Sequence, residues 1–239
     1  GIACILAMIT LRTRLKMVVC EGKPDVFSVR MLRRIAMFAI PSVLQQSFVS
    51  VGNIFIQRLI NGYGSSVIAG YSSAIKINTF AISCFSTTGN AVSSFTAQNI
   101  GAGKHERVKK GLRAGLLMGF LIGIPFFILC FFQGDMLIRL FMKEQTAEAL
   151  ATGVQFLWIV APFYFVISMK LITDGLLRGS GAMSSFMIAT LSDLILRVAL
   201  GYILSVPFGS TGIWMSWPIG WVLGTALSLA FYAKGVWKR

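Results

Sequence analysis

Six apolar stretches, at about residues 35–60, 67–97, 112–132, 153–177, 183–208 and 213–233, dictate what this chain can become. Crossing a bilayer as a helix takes roughly 20 apolar residues, whereas a barrel strand takes about 9–11. Within hydrocarbon every backbone polar group needs an internal partner, which leaves only helices and closed barrels. Stretches of this length exclude the barrel. The expected fold is therefore all-α, a polytopic transmembrane helical bundle. Composition agrees: 56% of residues are hydrophobic and 13% charged, against about a quarter charged in soluble domains, and mean hydropathy is +0.77.

The formal charge of +14 would suit a nucleic-acid binder if it formed one patch. Its distribution argues otherwise. Arg12, Arg14, Lys16, Lys23, Arg30, Arg33 and Arg34 precede the first full span; Lys104, Arg107, Lys109, Lys110 and Arg113 follow the second; Arg178 follows the fourth; and Lys234, Lys238 and Arg239 follow the sixth. These lie on one side of the membrane, and the opposite side has only Arg58, Arg139 and Lys143. Such an excess marks the cytoplasmic side. Residues 12–34, 101–111 and the C-terminus are thus expected in the cytoplasm of a multi-pass plasma (inner) membrane protein, with no nucleic-acid partner. Residues 1–11 are apolar, too short to cross, and followed by basic residues. They read as the end of a truncated preceding span, which implies that the chain is the C-terminal part of something longer.

Three further regions complete the layout. Residues 12–34 form a basic linker in which 24–34 reads as an amphipathic interfacial helix, with Asp25 placed as its cap. It serves as an anchor or as a lever. Residues 35–239 hold the six-helix bundle. Cys4, Cys20, Cys84 and Cys130 have no CxxC spacing and read as small hydrophobes. His105 is the sole histidine, so neither a metal cluster nor a catalytic triad is expected, and no enzyme motif is present.

Polar side chains inside the spans point to a pathway. Ser42, Gln46, Ser50, Asn53 and Gln57 recur at three or four residues along the first span, and Ser72, Lys76, Thr79, Ser83, Ser86, Asn90 and Ser94 along the second. Each set makes one stripe, facing protein or water. Two successive stripes suggest a shared aqueous cavity. Lys76 lies roughly 14 Å from the outer end at 1.5 Å per residue. A charge at such depth costs about 2.5–3.5 kcal/mol, so Lys76 faces inward or snorkels. In the third span Gly111, Gly115, Gly119 and Gly123 recur every four residues and predict close packing. The fourth ends in Lys170, Asp174 and Arg178 on one face, where Asp174 reads as an ion pair or as a cation-coupling carboxylate. In the fifth, Asp193 and Arg197 sit one turn apart and read as a neutralising pair, or as a carboxylate that changes protonation. Trp214, Trp217 and Trp221 open the sixth and suit an interfacial belt. Pro41 predicts a bend in the first span.

Between the second and third spans the chain reads TAQNIGAGKHERVKK, residues 96–110, a helix exit with Gly101 and Gly103 followed by a basic cluster. Together with the preceding AGYSSAIKINTF, this resembles the eighth-helix exit of the multidrug and toxic compound extrusion (MATE) transporters. The LRG turn after Asp174 and the final helix resemble that family as well. The resemblance runs over nearly the whole chain and implies the second six-helix lobe of a twelve-helix transporter, the two lobes being related by an axis along the membrane normal. Two departures stand out: Asn78 replaces an acidic residue of many relatives, and Ser83 and Cys84 stand near where they have a Leu-Pro pair.

What the resemblance implies is secondary active efflux of organic, often cationic and aromatic, compounds in exchange for H+ or Na+ by alternating access. No other cofactor is implied, and the partner is the missing N-terminal half. Gln46, Ser50, Asn53, Lys76, Thr79 and Asn90 are expected to line the substrate pathway. Asp174 and Asp193 are the candidates for ion coupling that this half itself offers, and Gln98, Asn99, Gly101 and Gly103 form the structural turn. In one branch of the family the coupling carboxylate lies on the first helix of the other lobe, so coupling through the missing half is expected. Alternatives are a lipid-linked saccharide flippase, which shares the two-lobe design and basic cavity residues, and a non-transporting membrane partner.

Overall fold

The computed structural model describes residues 1–14, 27–142 and 146–238. The expected cap Asp25, together with Cys20 and Lys143, falls outside the described residues. Two compact units are present, Gly1–Ala39 and Ile40–Arg239. The first contains helix α1 (Ile2–Arg14), whose Ile2, Ile5, Leu6, Met8 and Ile9 are exposed. It also contains the start of α2 (Val29–Asn61). Ser28 Oγ accepts the Met31 N–H at 3.4 Å, taking up one of the unpaired donors of the α2 N-terminus. The segment expected as an interfacial helix thus belongs to the same helix as the span, which also continues through Pro41.

The larger unit is built on α3 (Ser65–Gly101), which packs against α4 (His105–Phe132), α6 (Ala147–Val160) and α7 (Tyr164–Gly179). The short α5 (Gly134–Phe141) lies against α6, and α8 (Met183–Phe208) and α9 (Ser210–Ala233) form a tight antiparallel hairpin. Five helical stretches are long and apolar enough to span a bilayer: α2, α4, α6 with α7, α8 and α9. The remaining expected span, the second, coincides with α3. At 37 residues α3 is long enough, but its Ser, Thr and Asn side chains dilute its apolar character. The protein is a multi-pass membrane protein, all-α among the described residues.

The fourth expected span is interrupted. Pro162 sits in a 3-10 turn, Ala161–Phe163, between α6 and α7. Proline provides no backbone donor and clashes with the preceding turn, so the helix is broken there. The turn after α3 ends as the sequence suggests, with one refinement: Gly101 is still helical, and Gly103 adopts φ +70°, a conformation costly for other residues. Asn99 donates from Nδ2 to Phe95 O at 2.8 Å, which keeps this polar side chain within its own helix.

Close packing comes from small residues, as the glycine spacing indicates. Gly115, Gly119 and Gly123 of α4 are buried against side chains of α3 and α7, namely Val92, Ile172 and Phe165. A backbone-to-backbone approach lies between α3 and α7, where a Cβ at Gly175 would strike the backbone of Gly89. Backbone cannot rotate away as a side-chain tip can. Gly175→Val is therefore expected to lower stability by roughly 1–3 kcal/mol through overpacking. Thermal unfolding of the purified protein measures this, and an unchanged midpoint would contradict the backbone-to-backbone crossing.

The expected tryptophan belt is not what α9 forms. Trp214, Trp217 and Trp221 are all buried. Spaced by three and four residues, they fall on the face of α9 that meets the bundle. Trp214 stacks on Tyr71 at 5.1 Å, and Phe156 stands edge-on to both Trp214 and Trp217. Such rings bury large areas and prefer these geometries, so packing claims them before the interface does.

Candidate functional site

The polar stripe of α3 and that of α2 border a concave region that α8 and α9 close from behind. A cavity of about 430 Å³ is lined there by Asn53 and Gln57 of α2, by Asn78, Thr79, Ser83 and Ser86 of α3, and by Arg197 and Trp217. Below it, a smaller cavity of about 130 Å³ is lined by Gln45, Gln46, Ser86, Lys170, Asp174 and Arg178, among others. Ser86 belongs to both walls. Two chambers thus adjoin at one hydroxyl, the first with a single charged side chain and the second with three.

In the larger cavity the Arg197 guanidinium lies over the Trp217 ring, 4.5 Å from its centroid. The ring face is the negative pole of its quadrupole, so it holds the cation and flattens it against the wall. Arg197 Nε and Asn78 Oδ1 are buried and make no hydrogen bond among the described residues. Buried polar groups normally find partners. These two stand unpaired within the wall of the cavity.

Beneath it lies a charge cluster shared by three helices. Lys170 Nζ is 2.8 Å from Asp174 Oδ2 on its own helix and 3.7 Å from Asp193 Oδ2 on α8. Ser228 of α9 donates its hydroxyl to Asp174 Oδ1. Lys170, Asp174 and Asp193 are only 2%, 4% and 8% exposed, so none is satisfied by bulk water. With Arg197 the four side chains carry two charges of each sign, which makes their burial tolerable. Room for the cluster comes from α9. A Cβ at Gly224 would overlap the Lys170 side chain, and one at Gly220 would overlap the Asp193 carboxylate.

The arrangement revises the expected pairing. Lys170 and Asp174 pair along one helix face, but Arg178 turns away to donate to Asn90 Oδ1 and lies over the Phe186 ring at 5.6 Å. Asp193 and Arg197 stay within electrostatic reach of each other, as the one-turn spacing suggests, but the close salt bridge of Asp193 runs to Lys170 of the neighbouring helix and Arg197 lies over Trp217. Of the expected pathway residues, Asn53 and Thr79 line the larger cavity and Gln46 the smaller, while Asn90 reaches the smaller through Arg178. Ser50 hydrogen-bonds back to Gln46 O at 3.0 Å, and Lys76 is exposed outside both linings. The turn residues Gln98, Asn99, Gly101 and Gly103 lie at the far end of α3 and take no part in the cavities. Residues not singled out for the pathway, Lys170, Arg197 and Ser228, turn out to be central. Charge inside an apolar stretch was the available signal for the first two; a lone serine carried none.

A family model named MatE matches residues 41–203. Among curated proteins, the Bacillus subtilis (strain 168) protein named "Probable multidrug resistance protein YpnP" is 28% identical over 200 residues, covering 83% of this chain and 44% of that one. A second from the same organism, "Probable multidrug resistance protein YoeA", is 26% identical over 203 residues, covering 84% and 43%. The chain spans less than half the length of these curated relatives. Among solved structures, an outward-facing multidrug resistance MATE family transporter of the MOP superfamily superposes with a TM-score of 0.77 at 20% identity, covering 83% of this chain and 44% of that one. A MOP superfamily transporter from Pyrococcus furiosus gives 0.77 at 20%, with the same coverage. At such identity these two likenesses speak for the fold.

Proposed function

The chain belongs to the MatE family, and on that premise we propose that it is the second lobe of an ion-coupled exporter of organic compounds, completed by a first lobe of similar size. The match over residues 41–203 supports the family's transport role, and the curated relatives named for multidrug resistance support the substrate class. The reaction is translocation by alternating access, with no covalent bond made or broken. In this reading the protein sits in the plasma or inner membrane, and basic residues such as Lys104, Arg107 and Lys110 support a cytoplasmic α3–α4 turn by the positive-inside rule.

The observation that carries the mechanism is the cluster of Lys170, Asp174 and Asp193 directly beneath a polar cavity. A coupled exporter needs a site whose charge changes with the driving ion and whose geometry is shared with the substrate path. Asp174 lines the smaller cavity and is held by Lys170 and Ser228. Protonating it removes its hold on Lys170, whose ammonium then turns wholly to Asp193. That rearranges contacts among α7, α8 and α9 at once. A proton suits the cluster better than Na+, because the Lys170 ammonium already occupies the position between the carboxylates that an inorganic cation would take.

In proteoliposomes of the full-length transporter, an inward pH gradient is expected to drive efflux of a fluorescent organic cation, with a sodium gradient giving much less. Thr79→Trp, which fills the larger cavity, is expected to reduce that efflux at least about tenfold, whereas Lys76→Gln leaves it within about twofold. Equal losses from both variants would sink the assignment of this cavity as the pathway.

A second reading has one observation in its favour. The charged side chains lining the two cavities are Arg197, Lys170, Asp174 and Arg178, a net positive set. An anionic substrate such as a lipid-linked saccharide suits that polarity. Translocation of a labelled lipid-linked sugar without dye efflux would select it.

A further inference from the structure

On the side of the bundle formed by α3 and α4 lies a groove of about 510 Å³ that takes no part in either polar cavity. Its walls are Ala91, Val92 and Phe95 of α3 and Gly111, Ala114, Gly115 and Met118 of α4. The hydroxyl of Thr88, also at its edge, is spent on Cys84 O at 3.1 Å, so the body of the groove presents almost no polar chemistry. At one end stand Arg107 and Lys110. Both are exposed, and neither makes a salt bridge among the described residues, because Glu106 is taken by Lys109 at 2.7 Å. The groove is therefore an apolar trough with two exposed cations, neither in a salt bridge among the described residues, at its mouth.

We propose that this groove holds an anionic phospholipid of the cytoplasmic leaflet, its acyl chain along α4 and its phosphate at Arg107 and Lys110. Three observations converge on that occupant. From Arg107 to Met118 the helix rises about 16 Å at 1.5 Å per residue, close to half of a hydrocarbon core about 30 Å thick. The trough therefore reaches about as far as one leaflet. Its basic end is the end that the positive-inside rule assigns to the cytoplasm, where anionic headgroups gather and where basic pockets between helices bind them. Finally, its almost wholly apolar walls offer a soluble anion nothing beyond the mouth.

Gly111 and Gly115 shape the floor. A Cβ at Gly111 would press on the Phe95 ring and one at Gly115 on Val92. Larger residues there would fill the trough from below. The lipid would bridge α3, which carries the polar stripe, to α4 on the outside of the bundle, and so stabilise one relative position of the two.

The test is native mass spectrometry of the intact protein carrying phosphatidylglycerol or phosphatidylcholine, combined with photocrosslinking by a phosphatidylglycerol bearing a diazirine in its acyl chain. Phosphatidylglycerol is expected to be retained preferentially and to crosslink near Phe95 and Met118. Each cation near an anionic headgroup contributes about fivefold in affinity, so Arg107→Gln with Lys110→Gln is expected to weaken retention about 30-fold. Lys234→Gln should leave it unchanged. Ala114→Trp fills the trough without touching the charges and should abolish the crosslink while the protein elutes as before. Equal retention of both lipids, a crosslink indifferent to both variants, or full displacement by millimolar inorganic phosphate would each overturn the proposal.

Discussion

Replacing Lys170 with Met is expected to destabilise the protein by roughly 3–5 kcal/mol, the cost of breaking a buried ion pair from one side. The effect should be large because Lys170 serves two carboxylates, Asp174 at 2.8 Å and Asp193 at 3.7 Å, and all three groups are nearly inaccessible. Without the ammonium, Ser228 is the one remaining hydrogen-bond donor to Asp174, and Asp193 Oδ1 has none among the described residues. Thermal unfolding of purified protein checks this, with the exposed Lys109→Met as comparison, whose pair with Glu106 is worth at most about 1 kcal/mol. Removing a carboxylate as well should restore part of the loss, since Lys170→Met with Asp193→Asn leaves less charge unbalanced. Should Lys170→Met and Lys109→Met shift the midpoint equally, the cluster does not hold the bundle together.

Asp174→Asn is expected to abolish coupling while sparing the fold. The amide keeps the shape of the carboxylate and can still accept from Ser228, and Lys170 keeps Asp193, so the protein should still express and its unfolding midpoint should fall less than in Lys170→Met. What it loses is a site for a proton and a charge-assisted bond worth about 1.5–3 kcal/mol. Efflux driven by a pH gradient should fall at least about tenfold. Downhill exchange of the same dye, which needs the cavity but no driving ion, should persist. If gradient-driven efflux survives intact in Asp174→Asn and also in Asp193→Asn, coupling lies in the other lobe, where one branch of the family keeps its carboxylate.

Much of the fold was legible because it rests on properties that single residues carry. Length and hydropathy mark most of the spans, and the Gly103 turn ends α3 where its sequence says it should. Interhelical partners were not legible in the same way. Asp193 and Arg197 sit one turn apart and invite pairing, yet the nearest cation across the helix gap was Lys170 and the nearest ring was Trp217. Periodicity also placed Lys76 on the polar stripe without revealing that the cavity lining passes it by, through Tyr71, Ile75, Asn78 and Thr79. The three tryptophans of α9 show the same limit. Their spacing fixes a common face, but only the neighbouring helices decide whether that face meets headgroups or Tyr71 and Phe156. Ser228 offered no signal at all until Asp174 lay against it.

The bare faces at Gly220 and Gly224 give α9 an inverted tolerance to mutation. Exchanging glycine for alanine inside a helix ordinarily favours it by up to about 1 kcal/mol, and any scheme that stabilises proteins by raising helix propensity would choose these two sites first. Here each added methyl would land on the Lys170 side chain or the Asp193 carboxylate. The cheapest local improvement would therefore evict the charges that set this lobe apart from an inert bundle. Helix propensity and room for the cluster pull in opposite directions at these two positions, which makes the absence of side chains there as much a part of the buried charge cluster as the carboxylates they accommodate.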